Sequence, residues 1–302
     1  MPIPPPPRYA HVLSIAGSDS SGGAGIQADL KTMSALGCYG MTALTAITAQ
    51  NTQGVTAIHA VPAEILAAQI DAVIGDIGAD AVKIGMLHAP EIVETVAMAI
   101  VHHRLANIVL DPVMVAASGA RLIDEETIGG LVEKLFPLAT LVTPNLDEAA
   151  GLLKRPIYSL GELDAAAADL LALGCRAVLL KGGHLTGPEI VDVLAMRDED
   201  GTVRLEYFRS PRIITRNLHG AGCSLSSAIA CGLALGQPLP VAIESARTYV
   251  LQAIRSGAPQ QTGHGHGPLN HGHAPQSMHI LHPSATQTHT AEATPSAARA
   301  KP

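Results

Sequence analysis

The chain has 302 residues, of which 47% are apolar, with no Trp and only two Phe. This length accommodates one large α/β domain or two ordinary ones, with a core built from Ala, Leu, Ile and Val. The net charge of −7 argues against nucleic acid or an anionic membrane as the main partner.

Predicted strands and helices alternate along most of the chain. A Pro-rich leader over 1–10 precedes a strand over 11–16, a Ser/Gly/Asp loop over 17–24 and a helix over 25–36. The segment 40–49 is a strand or a buried helix, since its apolar pattern does not separate the two. Further helices are predicted over 62–74, 90–102, 124–136, 146–153, 160–173, 224–235 and 240–254, and further strands over 81–84, 107–110, 138–142, 177–180, 190–196 and 203–207.

This alternation is typical of an α/β protein, in which a central, mostly parallel sheet carries helices on both faces. The last two strands form a predicted hairpin at an edge of the sheet. Past about residue 257 the composition changes to Gly, His, Pro, Gln, Ser and Thr. We therefore expect a single domain over 11–274 and a disordered tail over 275–302.

The four cysteines are widely spaced and form no C-x-x-C pair. This spacing disfavours zinc and favours free thiols in a reducing compartment. The N-terminal residues lack the basic and apolar regions of a signal peptide, and no long apolar run is free of charge. We expect a cytoplasmic protein that lies in no membrane.

Polar and Gly-rich segments follow five of the predicted strands. In an open parallel sheet, ligands bind beyond the carboxyl ends of the strands, so these segments are expected to meet at one edge. A sixth segment, Gly220-Ala221-Gly222-Cys223, precedes an apolar helix. The five segments that follow strands are 17–25, 85–87, 111–114, 143–148 and 181–184.

The turn at Gly220, Ala221 and Gly222 is the most informative segment. A Gly-rich turn that opens a helix directs backbone N–H groups and the positive end of the helix dipole at one place, which suits a phosphoryl group. Cys223 falls in the first turn, where the local field is expected to favour its thiolate, so it is a candidate base. A tight turn followed by an ordinary buried cysteine is the alternative.

Four polar residues of the other segments are candidates for phosphate and metal binding. Asn145 and Glu148 either form a helix-capping pair or hold a hydrated Mg²⁺ near nucleotide phosphates. Asp111 is either a turn residue before Pro112 or a carboxylate near the same metal. Lys181 is either solvated or a charge near the phosphates. The chain lacks a Walker-type motif, so a Walker-type nucleotide site is not expected. It also lacks a clean G-x-G-x-x-G after the first strand, which disfavours a dinucleotide oxidoreductase.

In the order and spacing of these segments, the chain resembles the bacterial hydroxymethylpyrimidine/phosphomethylpyrimidine kinases of thiamine biosynthesis, which belong to the ribokinase-like superfamily. The resemblance covers nearly the whole predicted domain. It implies a ribokinase-like α/β fold. The matching segments are 15–19, 22–31, 45–52, 83–87, 111–114, 143–146, 180–184, 220–223 and 265–268.

The resemblance also implies a pyrimidine site. Cys223 stands where ribokinase-like kinases usually have Asp, and Ala221 stands where this family commonly has Thr. Gln50 suits an aminopyrimidine, because one amide can donate to a ring nitrogen and accept from the exocyclic amine. The positions that match the family's pyrimidine site are Gly17, Ala24, Asp29, Gln50, Met86, Val113 and Cys223.

The implied activity is ATP-dependent phosphorylation of 4-amino-5-hydroxymethyl-2-methylpyrimidine and then of its monophosphate. The turn amides would receive the phosphoryl group, and Cys223 would accept the alcohol proton. The Mg²⁺ would be held, partly through water, by Asp111 and Glu148, and the ATP phosphates would lie near Lys181, Asn145 and Glu148. We also expect a homodimer. The alternatives are a pyridoxal or pyridoxine kinase of the same fold, and a regulator that binds a vitamin or nucleotide without catalysis.

Overall fold

An eight-stranded sheet forms the centre of the chain. The computed structural model describes residues 6–115, 122–198 and 200–282. The strands are β1 (Arg8–Tyr9), β2 (His11–Ala16), β3 (Tyr39–Leu44), β4 (Ala46–Asn51), β5 (Gly54–Ala60), β6 (Ala81–Ile84), β7 (Ile108–Leu110), β8 (Leu141–Val142), β9 (Ala177–Leu180), β10 (Glu189–Arg197), β11 (Val203–Pro211) and β12 (Ile280–Leu281).

The central sheet has the strand order β11-β10-β9-β8-β7-β6-β2-β3. All neighbours from β9 to β3 pair in parallel, whereas β10 pairs antiparallel with both β9 and β11. The helices are α1 (Gly25–Ala35), α2 (Ala63–Asp76), α3 (Pro90–His102), α4 (Glu125–Gly130), α5 (Leu146–Leu153), α6 (Leu163–Leu171), α7 (Ala221–Ala234) and α8 (Leu239–Gly257). The predicted α/β class, with its mostly parallel sheet and edge hairpin, is confirmed.

Side-chain alternation along the strands builds one core on each face of the sheet. Leu13 and Val82 pack with α2, α3, α5 and α6 on one face, and Val12 packs with α1, α7 and α8 on the other. Ser14 and Lys83, which are paired in register between β2 and β6, are both fully buried. By alternation these two polar residues point to the face that α7 covers, which places a buried charge beneath that helix.

Two predicted segments differ from the observed elements. The segment 40–49 forms parts of two strands, β3 and β4, and β4 pairs with β5 in a separate hairpin that was not among the predicted elements. The predicted helix 124–136 consists of α4, a π-helical turn over Leu131–Leu135 and the start of a 3₁₀ turn over Phe136–Leu138. Pro137 cannot donate a helical hydrogen bond, so the chain leaves the helix there and β8 begins only at Leu141.

The two ends of the described chain lie together. Strand β1, from the predicted leader, pairs antiparallel with β12, from the predicted tail. The carbonyl of Gly37 also accepts a hydrogen bond of 2.8 Å from the amide of His279. Residues 283–302 of the predicted disordered tail lie outside the described residues, and the domain limits 11–274 stay a prediction.

None of the helices in the described ranges combines the length and the hydropathy needed to cross a bilayer.

Candidate active site

Two adjoining cavities open at the carboxyl ends of the central strands. The first, here called the polar cavity, has a volume of about 240 Å³ and is lined by every predicted site residue except Asp29. The second, the apolar cavity, has a volume of about 310 Å³ and is lined largely by aliphatic side chains of β10, α7 and α8. The residues that line both are Asn145, Lys181, Leu218, Ala221 and Gly222. The start of α7 therefore lies where the two cavities meet.

The backbone at Gly220 is held against the loop that follows β2. Gly220 has a φ of +83°, a conformation that side chains disfavour, and the Gly23 carbonyl oxygen occupies the place of a Cβ at this position. The hydroxyl of Ser224 donates to the Gly220 carbonyl at 2.8 Å. Only glycine fits at residue 220, which explains the first glycine of the turn.

The amides of the turn are not equivalent. The N–H of Ala221 donates to the Leu218 carbonyl at 3.1 Å, so the expectation that all three residues direct an amide at a phosphoryl group does not hold for Ala221. Gly222 lies closest to the charged groups, since a Cβ there would be 3.4 Å from Lys181 Nζ. Gly220 and Gly222 stay the predicted donors of the turn.

Lys181 and Asp111 form an ion pair beside Gly222. Lys181 Nζ lies 2.9 Å from Asp111 Oδ1, and the Thr143 hydroxyl donates to the same oxygen at 3.0 Å. Burial opposes the lysine charge, but Asp111 and Glu148 outweigh it and raise the pKa of Lys181. The ammonium group thus stays charged at the junction of the cavities, as a phosphate-binding role requires.

Asn145 and Glu148 do form a capping box at the start of α5. Asn145 Oδ1 accepts a hydrogen bond of 2.9 Å from the backbone N–H of Glu148, and Glu148 Oε2 accepts one of 2.7 Å from the backbone N–H of Asn145. Both residues nevertheless line the polar cavity. Burial, reinforced by Asp111 and opposed by Lys181, raises the pKa of Glu148 to about 7. Capping and cavity lining are compatible, because the box engages Oε2 of Glu148 and leaves Oε1 outside it.

The charges around Glu148 fit a divalent cation. Two buried carboxylates, Asp111 and Glu148, lie near the ammonium group of Lys181, and burial, reinforced by Asp111, raises the pKa of Glu148 despite that ammonium group. No cluster of three or more His, Cys, Asp or Glu side chains that could hold a metal occurs in the described part of the chain. A Mg²⁺ held here would complete its coordination with water and phosphate oxygens, as this ion usually does.

Asp29 does not line the polar cavity, which corrects its assignment to the pyrimidine site. Its carboxylate is fully buried and accepts hydrogen bonds from Ser14 and Ser227 at 2.6 and 2.8 Å. It also pairs with Lys83 Nζ at 2.8 Å. Lys83, by contrast, does line the cavity. Asp29 therefore pairs with the Lys83 ammonium group and does not reach the interior of the cavity.

Cys223 lies in the first turn of α7, as predicted, but its thiolate is not favoured there. Burial raises the pKa of Cys223 to about 11, with Asp29 and Asp111 acting in the same direction and Lys83 in the opposite one. The expectation of a lowered pKa is therefore wrong, because burial and two carboxylates outweigh Lys83. The thiol is neutral at pH 7.

Small residues, apolar side chains and one planar amide line the side of the polar cavity away from Lys181. A Cβ at Gly17 would lie 2.7 Å from the Met86 methyl carbon, so the glycine leaves room for that side chain. Val113 and Ala24 add apolar surface, and the Gln50 amide adds polar atoms. This arrangement suits a planar ring that carries hydrogen-bonding groups at its edge.

Several residues that line the polar cavity were not predicted, among them Asp19, Thr48, Lys83 and His219. Lys83 was detectable, since a lysine within the four-residue apolar strand AVKI must find a buried partner. Asp19 and His219 are 200 positions apart, and their contact of 2.8 Å depends on the fold. No local pattern indicates such a pair.

The comparisons with known proteins agree with this geometry. The family model described as phosphomethylpyrimidine kinase matches residues 19–270. A hydroxymethylpyrimidine/phosphomethylpyrimidine kinase of Streptomyces coelicolor is 48% identical over 270 residues, which cover 89% of this chain and 97% of that protein. A thiamine biosynthesis bifunctional protein of Geobacter sulfurreducens is 51% identical over 260 residues, and these cover 86% of this chain but only about half, 52%, of that longer protein.

Solved structures show the same fold. A phosphomethylpyrimidine kinase of Clostridium difficile is 42% identical, with a TM-score of 0.71, and the match covers 81% of this chain and 99% of that one. A Bacillus subtilis pyridoxal kinase in complex with ADP is 38% identical, with a TM-score of 0.79, and the match covers 87% of this chain and 98% of that one. The ribokinase-like resemblance is confirmed.

Replacing the buried cation of Lys83 will destabilise the fold. We expect Lys83→Met to lower the free energy of unfolding by about 3–5 kcal/mol, because it leaves the Asp29 carboxylate buried and unpaired. The double variant Asp29→Asn with Lys83→Met removes both charges and should recover most of this loss. Urea unfolding of the three proteins measures the effect. Equal losses in the single and double variants would contradict it.

Proposed function

The chain belongs to the phosphomethylpyrimidine kinase family, and from this premise we propose that it acts in thiamine biosynthesis. It transfers the terminal phosphoryl group of ATP first to 4-amino-5-hydroxymethyl-2-methylpyrimidine and then to the resulting monophosphate. The observation that supports this is the junction of the polar and apolar cavities at Lys181, Ala221 and Gly222. A donor nucleotide and a small planar acceptor can meet there with their reacting ends together.

The apolar cavity suits the nucleoside of ATP. Aliphatic side chains such as Ile190, Val250 and Ile254 line it, and they offer a surface on which a purine can pack. From this cavity the triphosphate runs towards Lys181 and the amide of Gly222. Phosphoryl transfer depends mainly on such positioning and charge neutralisation, which these two groups supply.

Asp111 and Glu148 are the residues that would hold the Mg²⁺, directly or through water. The ion would neutralise charge on the phosphates there. Glu148, whose pKa burial raises to about 7, would be held in its ionised form by a cation bound beside it. Asn145, in the same capping box, holds the Glu148 backbone in place.

Cys223 accepts the proton of the hydroxymethyl group in the first transfer. Lys83 favours the thiolate this role requires, whereas burial opposes it. Because the pKa of Cys223 is about 11, the thiolate is a small fraction at pH 7 and grows as the pH rises. The nucleophile of the second transfer is an anionic phosphate oxygen, which needs no base.

The two alternatives remain less supported. Structures named pyridoxal kinases share the fold, but Gln50 offers both a donor and an acceptor, as an aminopyrimidine edge requires. A regulator without catalysis has no need of the charged set Asp111, Glu148 and Lys181 at the cavity junction.

A homodimer in the cytoplasm completes the proposal. The β4–β5 hairpin lies outside the central sheet and exposes Ile47 and Ile58, which a second copy would cover. All four cysteines are free thiols, which supports a reducing compartment.

ADP release with each acceptor tests the proposed activity. With ATP and Mg²⁺, we expect release with the hydroxymethyl aminopyrimidine and with its monophosphate, and a kcat/KM for pyridoxal at least tenfold lower, because pyridoxal lacks the aminopyrimidine edge. A coupled spectrophotometric assay measures all three. A preference for pyridoxal would overturn the substrate assignment, and binding of ATP without turnover of any acceptor would favour the regulator.

Removal of the Cys223 thiol separates the two transfers. We expect Cys223→Ala to lower kcat/KM for the alcohol by about 10²–10⁴-fold, the usual contribution of a general base, and to lower it far less for the monophosphate. In the unmodified chain the first rate should rise between pH 7 and pH 10 as the thiolate fraction grows, and the second should not. Cys175→Ala, a buried cysteine outside both cavities, is the matched control. Equal losses in both reactions would refute the proton-acceptor role.

A further inference from the structure

The side-chain amide of Gln50 lies between two fixed partners in the polar cavity. As placed, Gln50 Oε1 is 3.1 Å from the Thr48 hydroxyl oxygen, and Gln50 Nε2 is 3.4 Å from His219 Nε2. The oxygen and nitrogen of an amide exchange places by a half-turn, so the partners decide which atom lies at which end. Thr48 and Gln50 both lie on β4 and both line the polar cavity.

Thr48 can only accept a hydrogen bond from Gln50. Its hydroxyl lies 2.7 Å from the Ser18 carbonyl oxygen, which has no hydrogen to donate. A hydroxyl carries one hydrogen, so the contact with Ser18 uses it. Towards Gln50 the Thr48 oxygen presents lone pairs alone. The end of the amide that faces Thr48 is therefore its nitrogen.

His219 Nε2 cannot accept a hydrogen bond from Gln50. It lies 2.8 Å from Asp19 Oδ2, and this carboxylate also accepts hydrogen bonds from Ser21 and from the backbone amide of Ala24. Although burial opposes ionisation, the hydrogen bonds from His219 and Ser21 lower the pKa of Asp19 to about 2. An ionised carboxylate accepts only, so Nε2 carries its one hydrogen towards Asp19 and presents no lone pair to a Gln50 N–H. The end of the amide that faces His219 is therefore its oxygen, in agreement with the assignment from Thr48.

We propose that Thr48 is a specificity-determining residue that sets the direction of the Gln50 amide. With its nitrogen bound to Thr48, Gln50 has one N–H left on the Thr48 side and oxygen lone pairs free on the His219 side. The matching ligand edge is an amidine, in which a ring nitrogen accepts on the Thr48 side and an exocyclic amine donates on the His219 side. This inference rests on the proposed function, since it specifies how the acceptor is recognised.

The 4-oxo analogue of the acceptor carries the reverse pattern. It has a ring N–H where the aminopyrimidine has a bare nitrogen, and a carbonyl oxygen where the aminopyrimidine has an amine. Against the assigned amide, donor meets donor and acceptor meets acceptor. A site built to hydrogen-bond its ligand rejects such an analogue strongly, because buried polar groups are left unpaired.

Steady-state kinetics with the two acceptors test the proposal. In the unmodified chain we expect kcat/KM for the amino compound to exceed that for the 4-oxo analogue by about a thousandfold or more. Thr48→Val removes the group that anchors the amide nitrogen and should reduce this ratio about tenfold, the value of one neutral hydrogen bond. Thr48→Ser keeps the hydroxyl and should keep the ratio.

The outcomes are distinct. A ratio in Thr48→Val equal to that of the unmodified chain would overturn the role of Thr48, and so would an unmodified chain that prefers the 4-oxo analogue. If the unmodified chain phosphorylates neither compound, the proposed function fails instead. If Thr48→Val does not fold, the unmodified chain is tested with an analogue in which CH replaces the ring nitrogen beside the amine. That analogue should lose about tenfold, and an undiminished kcat/KM would refute the assigned donor.

Discussion

The close approach of Gly220 to the Gly23 carbonyl is the contact on which the site depends. It joins the loop after the first central strand to the start of α7, two segments almost 200 residues apart in the chain. Because a Cβ at residue 220 would overlap that carbonyl, any other residue would separate the two segments. The Asp19–His219 pair bridges the same two segments, and the hydrogen bond from Ser227 to Asp29 joins α7 to helix α1, which follows that loop. The polar cavity is therefore formed by this backbone contact as much as by its side chains.

Two ion pairs balance most of the lysine charge at the site before any ligand binds. Asp29 lies against Lys83 and Asp111 against Lys181, and hydrogen bonds hold both pairs. Glu148 is a further buried carboxylate, and burial, reinforced by Asp111, raises its pKa. The same balance explains the neutral thiol of Cys223, since the carboxylates and burial cancel the influence of Lys83. Because the lysine charges of the site are largely balanced, binding of a nucleotide and its cation changes the ionisation of its side chains.

The sequence predicted the architecture well and the interior of the site less well. Apolar residues that recur with a period of 2 or 3.6 located most strands and helices, because strands and helices that pack in a core bury their residues with those periods. The hairpin β4–β5 was missed, since its sequence of exposed, small and β-branched residues has no regular spacing of apolar residues. Gln50 was predicted from the family resemblance, whereas the positions of Gly220, Lys181 and Glu148 at one cavity followed from the rule that ligands bind at the carboxyl ends of parallel strands. The buried position of Asp29 and the pKa of Cys223 could not follow from it, because both depend on contacts between distant segments.

The central claim is that the start of α7 receives the phosphoryl group in transit between the two cavities. A crystal structure with ADP, Mg²⁺, the hydroxymethyl aminopyrimidine and aluminium fluoride, a mimic of the transferring group, tests it most directly. We expect the fluoride to lie at the junction of the cavities, with the amide of Gly222 at about 3 Å and the hydroxymethyl oxygen on its far side. Fluoride bound away from residues 220–223 would contradict the account.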